Sequence, residues 1–260
     1  MKKRILTRLN GLEKSEVMRV GLAVESGSRA WGFASMDSDY DVRFLYVRPP
    51  EWYSSINVER RRDVIELPIV DSLDINGWDL RKALQLFRKS NPPLLEWLHS
   101  PIVYRDRFGL AAAMRSLLPL YFSAKACSYH YLSMAQNNYR GYLRGDQVWT
   151  KKYFYLLRPL LAIRWIELGL GIPPTEFPSM VEATIDSPEL EREVMALLEA
   201  KRSGRELDLG PRVEPIHSFI EAELKRHQSS SDFGKARATK PVGKLDALLR
   251  STLEAAWGSA

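Results

Sequence analysis

The pattern of the sequence changes near residue 100, and this change limits the fold more than any other feature. Before it, short runs rich in β-branched and aromatic residues, such as YDVRFLYV at 40–47, alternate with turn residues, as is typical of strands. We expect Gly77 to end the last of them. After the change, apolar residues recur at helical spacing. The switch predicts an α+β fold, with a small mixed β-sheet domain over 1–105 and an all-helical domain over 106–260.

The bulk properties of the chain exclude several classes of protein. With 260 residues, of which 45% are hydrophobic and 27% charged, the chain can bury a core and is too apolar to be disordered. The single cysteine, Cys127, excludes an internal disulfide and a cysteine-based metal cluster. The longest apolar stretch, 153–170, is interrupted by Arg158, Arg164 and Glu167, so we expect no membrane span and a cytoplasmic protein.

Residues 25–47 carry the strongest functional signal in the chain. Gly27 and Ser28 directly follow an apolar run, and after ten further residues Asp39 and Asp41 open the next strand. Because side chains alternate along a strand, the two carboxylates should face one side of the sheet. Two ionised carboxylates so close repel each other, and a bound Mg²⁺ or Mn²⁺ would remove that cost. A glycine lets a triphosphate approach the backbone, where the following serine can donate to its oxygens.

The context of this motif separates it from a chance match. An isolated Asp-x-Asp is more often a solvated turn followed by a polar strand edge. Here a Gly-Ser pair follows one apolar strand and Asp39 and Asp41 begin the next. The combination favours a metal site that binds a nucleoside triphosphate (NTP).

The arrangement resembles a known family. Gly-Ser, ten intervening residues and Asp-hydrophobic-Asp-hydrophobic are similar to the signature of DNA polymerase β-type nucleotidyltransferases. The strings GSRAWGFAS, DSDYDVRF, LDINGWDLRKAL and SNPPLLEWL resemble one branch of that superfamily, the RNA repair pathway polymerase-β-like nucleotidyltransferases, over about residues 20–170. The resemblance implies metal-dependent transfer of a nucleoside monophosphate from an NTP to a hydroxyl, with release of pyrophosphate. It further implies an RNA 3′ end as the acceptor and an association with an RNA ligase.

The resemblance also implies a third carboxylate, on a strand beside the first pair. Asp71, Asp74 and Asp79 compete for this role. Asp74 lies between Leu73 and Ile75, and if those two side chains face the core, Asp74 faces the catalytic side. An acid at position 79 has a simpler explanation at the start of a helix. We therefore predict three catalytic and metal-binding residues: Asp39, Asp41 and Asp74.

A second candidate surface lies in the segment 151–167. Lys151, Tyr155 and Arg158 are spaced to share one face of a helix, where the cations suit phosphates and the ring suits a base. The same spacing is equally consistent with a basic helix face that is merely exposed to solvent. Trp31 could also stack on a base, although an aromatic residue in an apolar run is more often part of a core. The predicted nucleotide-binding residues are Gly27, Ser28, Arg29, Lys151, Tyr155 and Arg158.

The charge of the chain bears on the acceptor of the reaction. The net charge of +6 and the basic segments Arg60 to Arg62 and Lys235 to Lys240 favour a polyanion such as RNA. Transfer to a protein or a small molecule is the alternative within the same class of enzyme. A non-catalytic module that binds nucleotide or RNA is the alternative from another class, and the intact Asp-x-Asp argues against it.

Overall fold

The computed structural model of the protein describes residues 1–204, 207–229 and 240–258. Its helices and strands form a mixed α+β fold, as the sequence pattern predicts. None of the helices within these ranges is both long and apolar enough to cross a membrane.

The chain divides into two compact units. One comprises Met1–Ala30, Asp39–Phe122 and Ala238–Ala260, and the other comprises Trp31–Ser38 and Ser123–Arg237. These units differ from the two domains expected to meet at residue 105. The first unit extends to residue 122 and takes in residues 238–260 as well. The second unit includes residues 31–38, which lie in the sequence between the Gly-Ser pair and the Asp-x-Asp motif.

The physical reason for this difference is packing between residues far apart in sequence, which no local pattern encodes. Within the second unit, the ring of Phe33 stacks on that of Phe154, with centroids 4.6 Å apart. Phe33 also meets Phe177 edge to face at 5.7 Å. Aromatic contacts of this kind hold the segment 31–38 to the helices of the second unit.

The first unit is built on a five-stranded mixed sheet. In chain order its strands are β1 (Arg19–Ser26), β2 (Tyr40–Val47), β3 (Val64–Glu66), β4 (Leu73–Asp79) and β5 (Val103–Asp106). Their order across the sheet is β3-β4-β2-β1-β5, with β2 and β4 parallel and the other neighbours antiparallel. The helices of this unit are α1 (Lys2–Ser15), α2 (Gly27–Ala30), α3 (Pro50–Tyr53), α4 (Leu80–Arg88), α5 (Pro92–Leu98), α6 (Leu110–Tyr121) and α12 (Gly243–Trp257).

One face of the sheet packs against α1 and forms a hydrophobic core of the unit. Ile5 and Leu9, spaced by one helical turn, are fully buried there. Each large apolar side chain removed from water contributes about 1.5–3 kcal/mol relative to leaving it exposed. The strand residues of this cluster are Val20, Ala23, Val42, Phe44, Tyr46, Ile65, Leu73 and Ile75.

Gly77 does not end the fourth strand, contrary to expectation. Strand β4 continues to Asp79, and α4 begins directly after it at Leu80. A Cβ atom at position 77 would lie 2.2 Å from Cε2 of Phe44 on β2, so the glycine leaves room for that ring. A glycine inside a strand can mark such a close approach instead of a turn.

Among its described residues, the second unit is helical apart from one antiparallel two-stranded ribbon, which the sequence pattern did not predict. Its central helix is buried along most of its length and packs against three of the other helices. The elements are α7 (Ala124–Tyr142), β6 (Gln147–Trp149), α8 (Tyr153–Glu167), α9 (Phe177–Thr184), α10 (Pro188–Arg202), β7 (Leu209–Pro211) and α11 (Glu214–Ser229), of which α8 is the central helix.

Candidate active site

The parallel pairing of β2 and β4 brings two of the predicted carboxylates together. In the register of this pair Asp41 lies directly opposite Asp74. Leu73 and Ile75 are only 4% and 2% exposed, whereas the Asp74 side chain retains 26% exposure on the other face. The predicted alternation along this strand is therefore confirmed, and the two carboxylates share the face of the sheet opposite α1.

The remaining acids lie in different surroundings. Asp39 is exposed one residue before β2 begins. Asp71 lies in a turn with φ of 50°, and its exposed side chain is ion-paired with Arg4. Asp79 is buried and caps α4, since its carboxylate accepts hydrogen bonds from the amide of Arg81 at 2.9 Å and from a tyrosine hydroxyl. Of the three competing acids, Asp74 is the one that the sheet register places opposite Asp41.

Gly27 provides the close approach on which the motif depends. Its φ is +60°, a left-handed conformation that favours glycine, and a Cβ atom here would lie 2.1 Å from Oδ2 of Asp41. The Asp41 carboxylate therefore rests against the backbone of the Gly-Ser turn. A larger residue at position 27 would push that carboxylate aside.

Arg43 belongs to the same site, although sequence reasoning did not select it. Its Nη2 donates to Oδ1 of Asp41 at 3.1 Å and to Oδ2 of Asp74 at 2.7 Å. The signal that could have found it is strand alternation, because residues 41 and 43 of β2 share one face. The guanidinium supplies positive charge between two carboxylates that would otherwise repel each other.

Arg29, a predicted nucleotide-binding residue, also lies beside the motif. Its Nε donates to the backbone oxygen of Asp39 at 3.2 Å. Its guanidinium lies over the ring of Tyr40, 3.7 Å from the centroid. These contacts bring a second cation to the start of β2.

Glu25 is a further residue that sequence reasoning missed. It is fully buried at the end of β1, and its Oε1 accepts a 2.6 Å hydrogen bond from the amide of Asp41. Burial raises the pKa of its carboxyl, and hydrogen bonds from Tyr104 and Asp41 partly oppose that rise. A single acid inside the otherwise apolar segment 20–25 was the available signal, because a buried carboxylate needs a reason.

The electrostatics of Asp41 suit a bound cation. Burial raises the pKa of this carboxyl, the positive charge of Arg43 lowers it, and the negative charges of Asp74 and Asp39 raise it again. The net shift is upward, so ionised Asp41 is poorly compensated by its surroundings. A divalent cation beside it would favour the ionised form.

The donor set fits a metal ion in part. In residues 1–204, 207–229 and 240–258, no three His, Cys, Asp or Glu side chains are arranged to hold an ion as they stand. Asp41 and Asp74 form the pair, and Arg43 is the cation between them. Carboxylate oxygens are the ligands that Mg²⁺ prefers, so a metal site here would be built on these two residues, with Asp39 close by in sequence.

The predicted cationic face of the second unit is not one open face. Lys151 is exposed but lies in a short 3₁₀ turn before α8, and Tyr155 is 37% exposed. Arg158 is only 5% exposed: its guanidinium stacks 4.2 Å from the Trp31 ring and donates to the backbone oxygen of Thr175. Helical spacing missed this because α8 is buried on most sides. Trp31 itself packs among side chains of its own unit, as an aromatic in an apolar run is expected to do.

Comparison with protein families identifies the class of this protein. The model of the RNA repair pathway DNA polymerase beta family matches residues 1–251. The chain therefore belongs to this family of polymerase-β-like nucleotidyltransferases, and the resemblance drawn from the motif is confirmed.

The chain is also similar to individual proteins. The chain is 51% identical over 257 residues to the protein named "Uncharacterized protein YcgL" of Bacillus subtilis (strain 168), covering 99% of this chain and 98% of that protein. A solved structure, described as a nucleotidyltransferase-like protein from Exiguobacterium sibiricum 255-15, is similar to this chain. The match covers 94% of this chain and 80% of the chain in that structure. Its identity is 14% and its TM-score 0.34, so the family assignment rests on the sequence matches.

Proposed function

We propose that the protein transfers a nucleoside monophosphate from an NTP to the 3′ hydroxyl of an RNA, releasing pyrophosphate. The observation that carries this proposal is the pairing of Asp41 with Asp74 across two parallel strands, with the backbone of Gly27 against the Asp41 carboxylate. Family membership supports an NTP as the substrate. The arrangement combines a place for a cation with a backbone surface that a triphosphate can approach.

The proposed roles follow from these positions. Asp39, Asp41 and Asp74 would hold Mg²⁺ or Mn²⁺, which when bound would align the acceptor hydroxyl with the α-phosphate and stabilise the leaving pyrophosphate. Asp74 would also accept the proton of the attacking hydroxyl, since its carboxylate is partly open to solvent beside Asp41. The Gly27 and Ser28 turn would bind phosphate oxygens.

Two arginines would add positive charge to the phosphate side of the site. Arg43 already contacts both carboxylates, and Arg29 lies at the start of β2. Charge-assisted hydrogen bonds from guanidinium groups to phosphate are about twice as strong as neutral ones. The two side chains are therefore suited to a triphosphate that approaches along the Gly-Ser turn.

Two of the three nucleotide-binding residues predicted in the second unit, Lys151 and Tyr155, keep that role in the proposal. Lys151 and Tyr155 are exposed, so a phosphate and a base could reach them. Arg158 is buried and its guanidinium stacks on the Trp31 ring, which meets the Tyr155 ring edge to face. Arg158 would therefore act by holding these two rings in place.

RNA is the proposed acceptor on three grounds. The family is named for an RNA repair pathway, the net charge is +6, and the side chains of Arg60 and Arg62 are exposed. Of the second basic segment, residues 235–239 lie outside the described residues, and Lys240 donates to Ser90 Oγ at 3.2 Å. An RNA acceptor would also agree with an RNA ligase as a functional partner, since a ligase joins the ends that such an enzyme modifies.

The decisive experiment measures pyrophosphate release with Mg²⁺ and each NTP in turn, with and without total cellular RNA. We expect release that depends on RNA in the wild-type protein. Asp74→Ala should lose far more activity than its matched control Asp71→Ala, because Asp71 lies in an exposed turn and pairs with Arg4. Equal losses in the two variants would refute the assignment of the third carboxylate.

The salt dependence of RNA binding tests the acceptor separately. With roughly 4–6 phosphate contacts to a single strand, the log-log slope of affinity against salt should be about −3 to −4. RNA-independent release together with a flat salt dependence would favour a protein or small-molecule hydroxyl. No release with any acceptor would favour a binding module.

A further inference from the structure

We infer that Glu25 is a positioning residue: its buried carboxylate fixes the stretch of backbone from which Asp41 projects into the site. The inference rests on the proposed function for its effect on turnover. The placement of Asp41 itself can be measured without any reaction.

Glu25 is tied to its surroundings through its backbone and its side chain. Its amide donates to the backbone oxygen of Ile102 at 2.9 Å, and its own backbone oxygen accepts a 2.6 Å bond from Ser100 Oγ. The carboxylate accepts from the Asp41 amide at 2.6 Å and from the hydroxyl of Tyr104. The end of β1 is thereby joined to the segment 100–104 on one side and to the start of β2 on the other.

The bond to the Asp41 amide extends the pairing of β1 with β2 at the place where the chain turns away. Asp41 lies opposite Ser26, the last residue of β1, and Gly27 then turns the chain with its φ of +60°. At this last residue pair of the two strands, the side chain of Glu25 accepts the hydrogen bond of the Asp41 amide. The backbone that carries Asp41 is therefore held by a side chain next to the turn.

The space around Asp41 is narrow enough for this restraint to matter. A Cβ atom on Gly27 would come within 2.1 Å of the Asp41 carboxylate, which shows how closely that carboxylate is packed against the turn. Displacing a reacting group by about 1 Å can cost roughly 100-fold in rate. A shift of the β2 start would move Asp41 relative to Asp74, its partner across the parallel pair.

The cost of burial argues that Glu25 does not serve stability alone. A fully buried carboxylate loses hydration, and an apolar side chain of similar size would avoid that penalty. Such a replacement would leave the Asp41 amide and the Tyr104 hydroxyl to find other partners. The carboxylate is thus the group that serves both donors at once.

A matched comparison is available at the other end of the same strand. Glu13 of α1 also accepts a hydrogen bond from a β1 amide, that of Val20 at 2.7 Å, and it is ion-paired with Arg105 and Arg107. Its side chain is 11% exposed. Glu13→Leu therefore removes a similar side-chain-to-backbone bond at the end of β1 away from Asp41.

The experiment compares Glu25→Leu, Glu25→Gln, Tyr104→Phe and Glu13→Leu with the wild type. Amide hydrogen exchange is followed in peptides that cover residues 39–42 and in a reference peptide from α1. For each variant, kcat and KM for NTP are measured with Mg²⁺ and RNA and corrected for the folded fraction. Glutamine keeps an acceptor for the Asp41 amide and a donor for the Tyr104 hydroxyl, so it is the conservative variant.

We expect Glu25→Leu to speed exchange at residues 39–42 by at least about tenfold while α1 stays protected. Its kcat should fall by roughly 10- to 100-fold with KM for NTP nearly unchanged. Glu25→Gln should restore both properties in large part, and Tyr104→Phe should lie between. Glu13→Leu should lower the melting temperature without changing kcat per folded molecule.

Several outcomes would overturn the inference. These are wild-type exchange at residues 39–42 in Glu25→Leu, an equal loss of protection in all peptides, or a kcat loss in Glu13→Leu as large as in Glu25→Leu. If Glu25→Leu does not fold, Glu25→Gln and Tyr104→Phe still decide through the same exchange peptides. If the wild-type protein turns over no NTP, the proposed function fails, and the exchange data still decide whether Glu25 places Asp41.

Discussion

Where Asp41 and Asp74 lie, the two faces of the sheet in the first unit differ sharply although the same strands build them. On the face toward α1, Val42 and Phe44 are fully buried in an apolar core. On the opposite face, Asp41, Arg43 and Asp74 form a charged cluster that remains partly open. Over residues 41–44, neighbouring residues of β2 thus belong in turn to the charged cluster and to the apolar core, whereas Leu45 and Val47 further along the strand are buried as well. Because the core gains free energy from burial and the charged cluster loses it to desolvation and repulsion, substitutions in the two places should have opposite effects on stability and turnover.

The largest expected effect is on the charged face. Asp41→Asn should lower turnover by at least about 10³-fold, equal to about 4 kcal/mol of transition-state stabilisation, because a neutral amide is a poor metal ligand. Its free energy of unfolding without metal should be no lower than that of the wild type, since the change removes a repelled carboxylate. Turnover assays and urea denaturation of the same preparation measure both quantities.

The side-chain amide of that variant would still face Gly27, so steric changes are small, and Asp71→Asn is a suitable control for the loss of one carboxylate at an exposed position. Wild-type turnover in Asp41→Asn would contradict the place of Asp41 in the site. A large loss of stability would contradict the contrast between the two faces.

The next effect is on the core face. Phe44→Ala should lower the free energy of unfolding by about 3–5 kcal/mol, because it removes a fully buried ring and leaves a cavity beside Gly77. Chemical denaturation at a fixed pH gives this value. The turnover of the fraction that remains folded should stay much closer to the wild-type value than that of Asp41→Asn.

Phe44→Leu is the control for volume, and its loss should be clearly smaller because more of the space stays filled. The contrast between the faces would be refuted if Phe44→Ala cost under about 1 kcal/mol. It would be weakened in the same way if the folded fraction of Phe44→Leu were inactive.

The smallest expected effect is a dependence of stability on pH. Since the pKa of Asp41 is raised in the folded protein above its ordinary value of 3.8, the folded state binds this proton more tightly than the unfolded state. The stability that Asp41 contributes is thus fully present below pH 3.8 and is lost as the pH rises through the pKa of Asp41 in the folded protein. Denaturation of the metal-free protein at a series of pH values, compared with Asp41→Asn, isolates this slope.

We expect the stability of Asp41→Asn relative to the wild type to increase as the pH rises from about 4 toward neutrality. A difference that stays constant over this range would mean that Arg43 compensates the ionised Asp41 fully. In that case the upward pKa shift, and with it the electrostatic argument for a cation at this place, would be wrong.

Strand alternation was the rule that made the charged face predictable. Leu73 and Ile75 fixed the side on which Asp74 lies, because a strand offers only two faces. The same rule reaches Arg43 once Asp41 is chosen. Strand alternation could not identify the role of Glu25, because its contact with the Asp41 amide depends on how two strands meet at a turn.

Helical spacing was less informative, since a helix can be buried over any part of its circumference. It placed Arg158 on a face with Lys151, whereas the packing of α8 turns that guanidinium onto Trp31. The place of segment 31–38 in the second unit and the room that Gly77 leaves for Phe44 were likewise hidden. Both depend on contacts between residues distant in sequence.

The return of the C-terminal helix to the first unit has a consequence for synthesis on the ribosome. Arg88 Nε donates to the backbone oxygen of Lys240 at 3.0 Å, Arg19 lies 4.5 Å from the ring centroid of Trp257, and α12 packs on α4 and β2. Chains generally fold domain by domain from the N-terminus as they emerge. Here the strands that carry Asp41 and Asp74 are translated before the helices of the second unit, yet the packing of their own unit is completed by α12, which is translated after those helices. A nascent chain paused before α12 would contain every residue of the Gly-Ser and Asp-x-Asp motif, but the first unit would lack the helix that packs on α4 and β2.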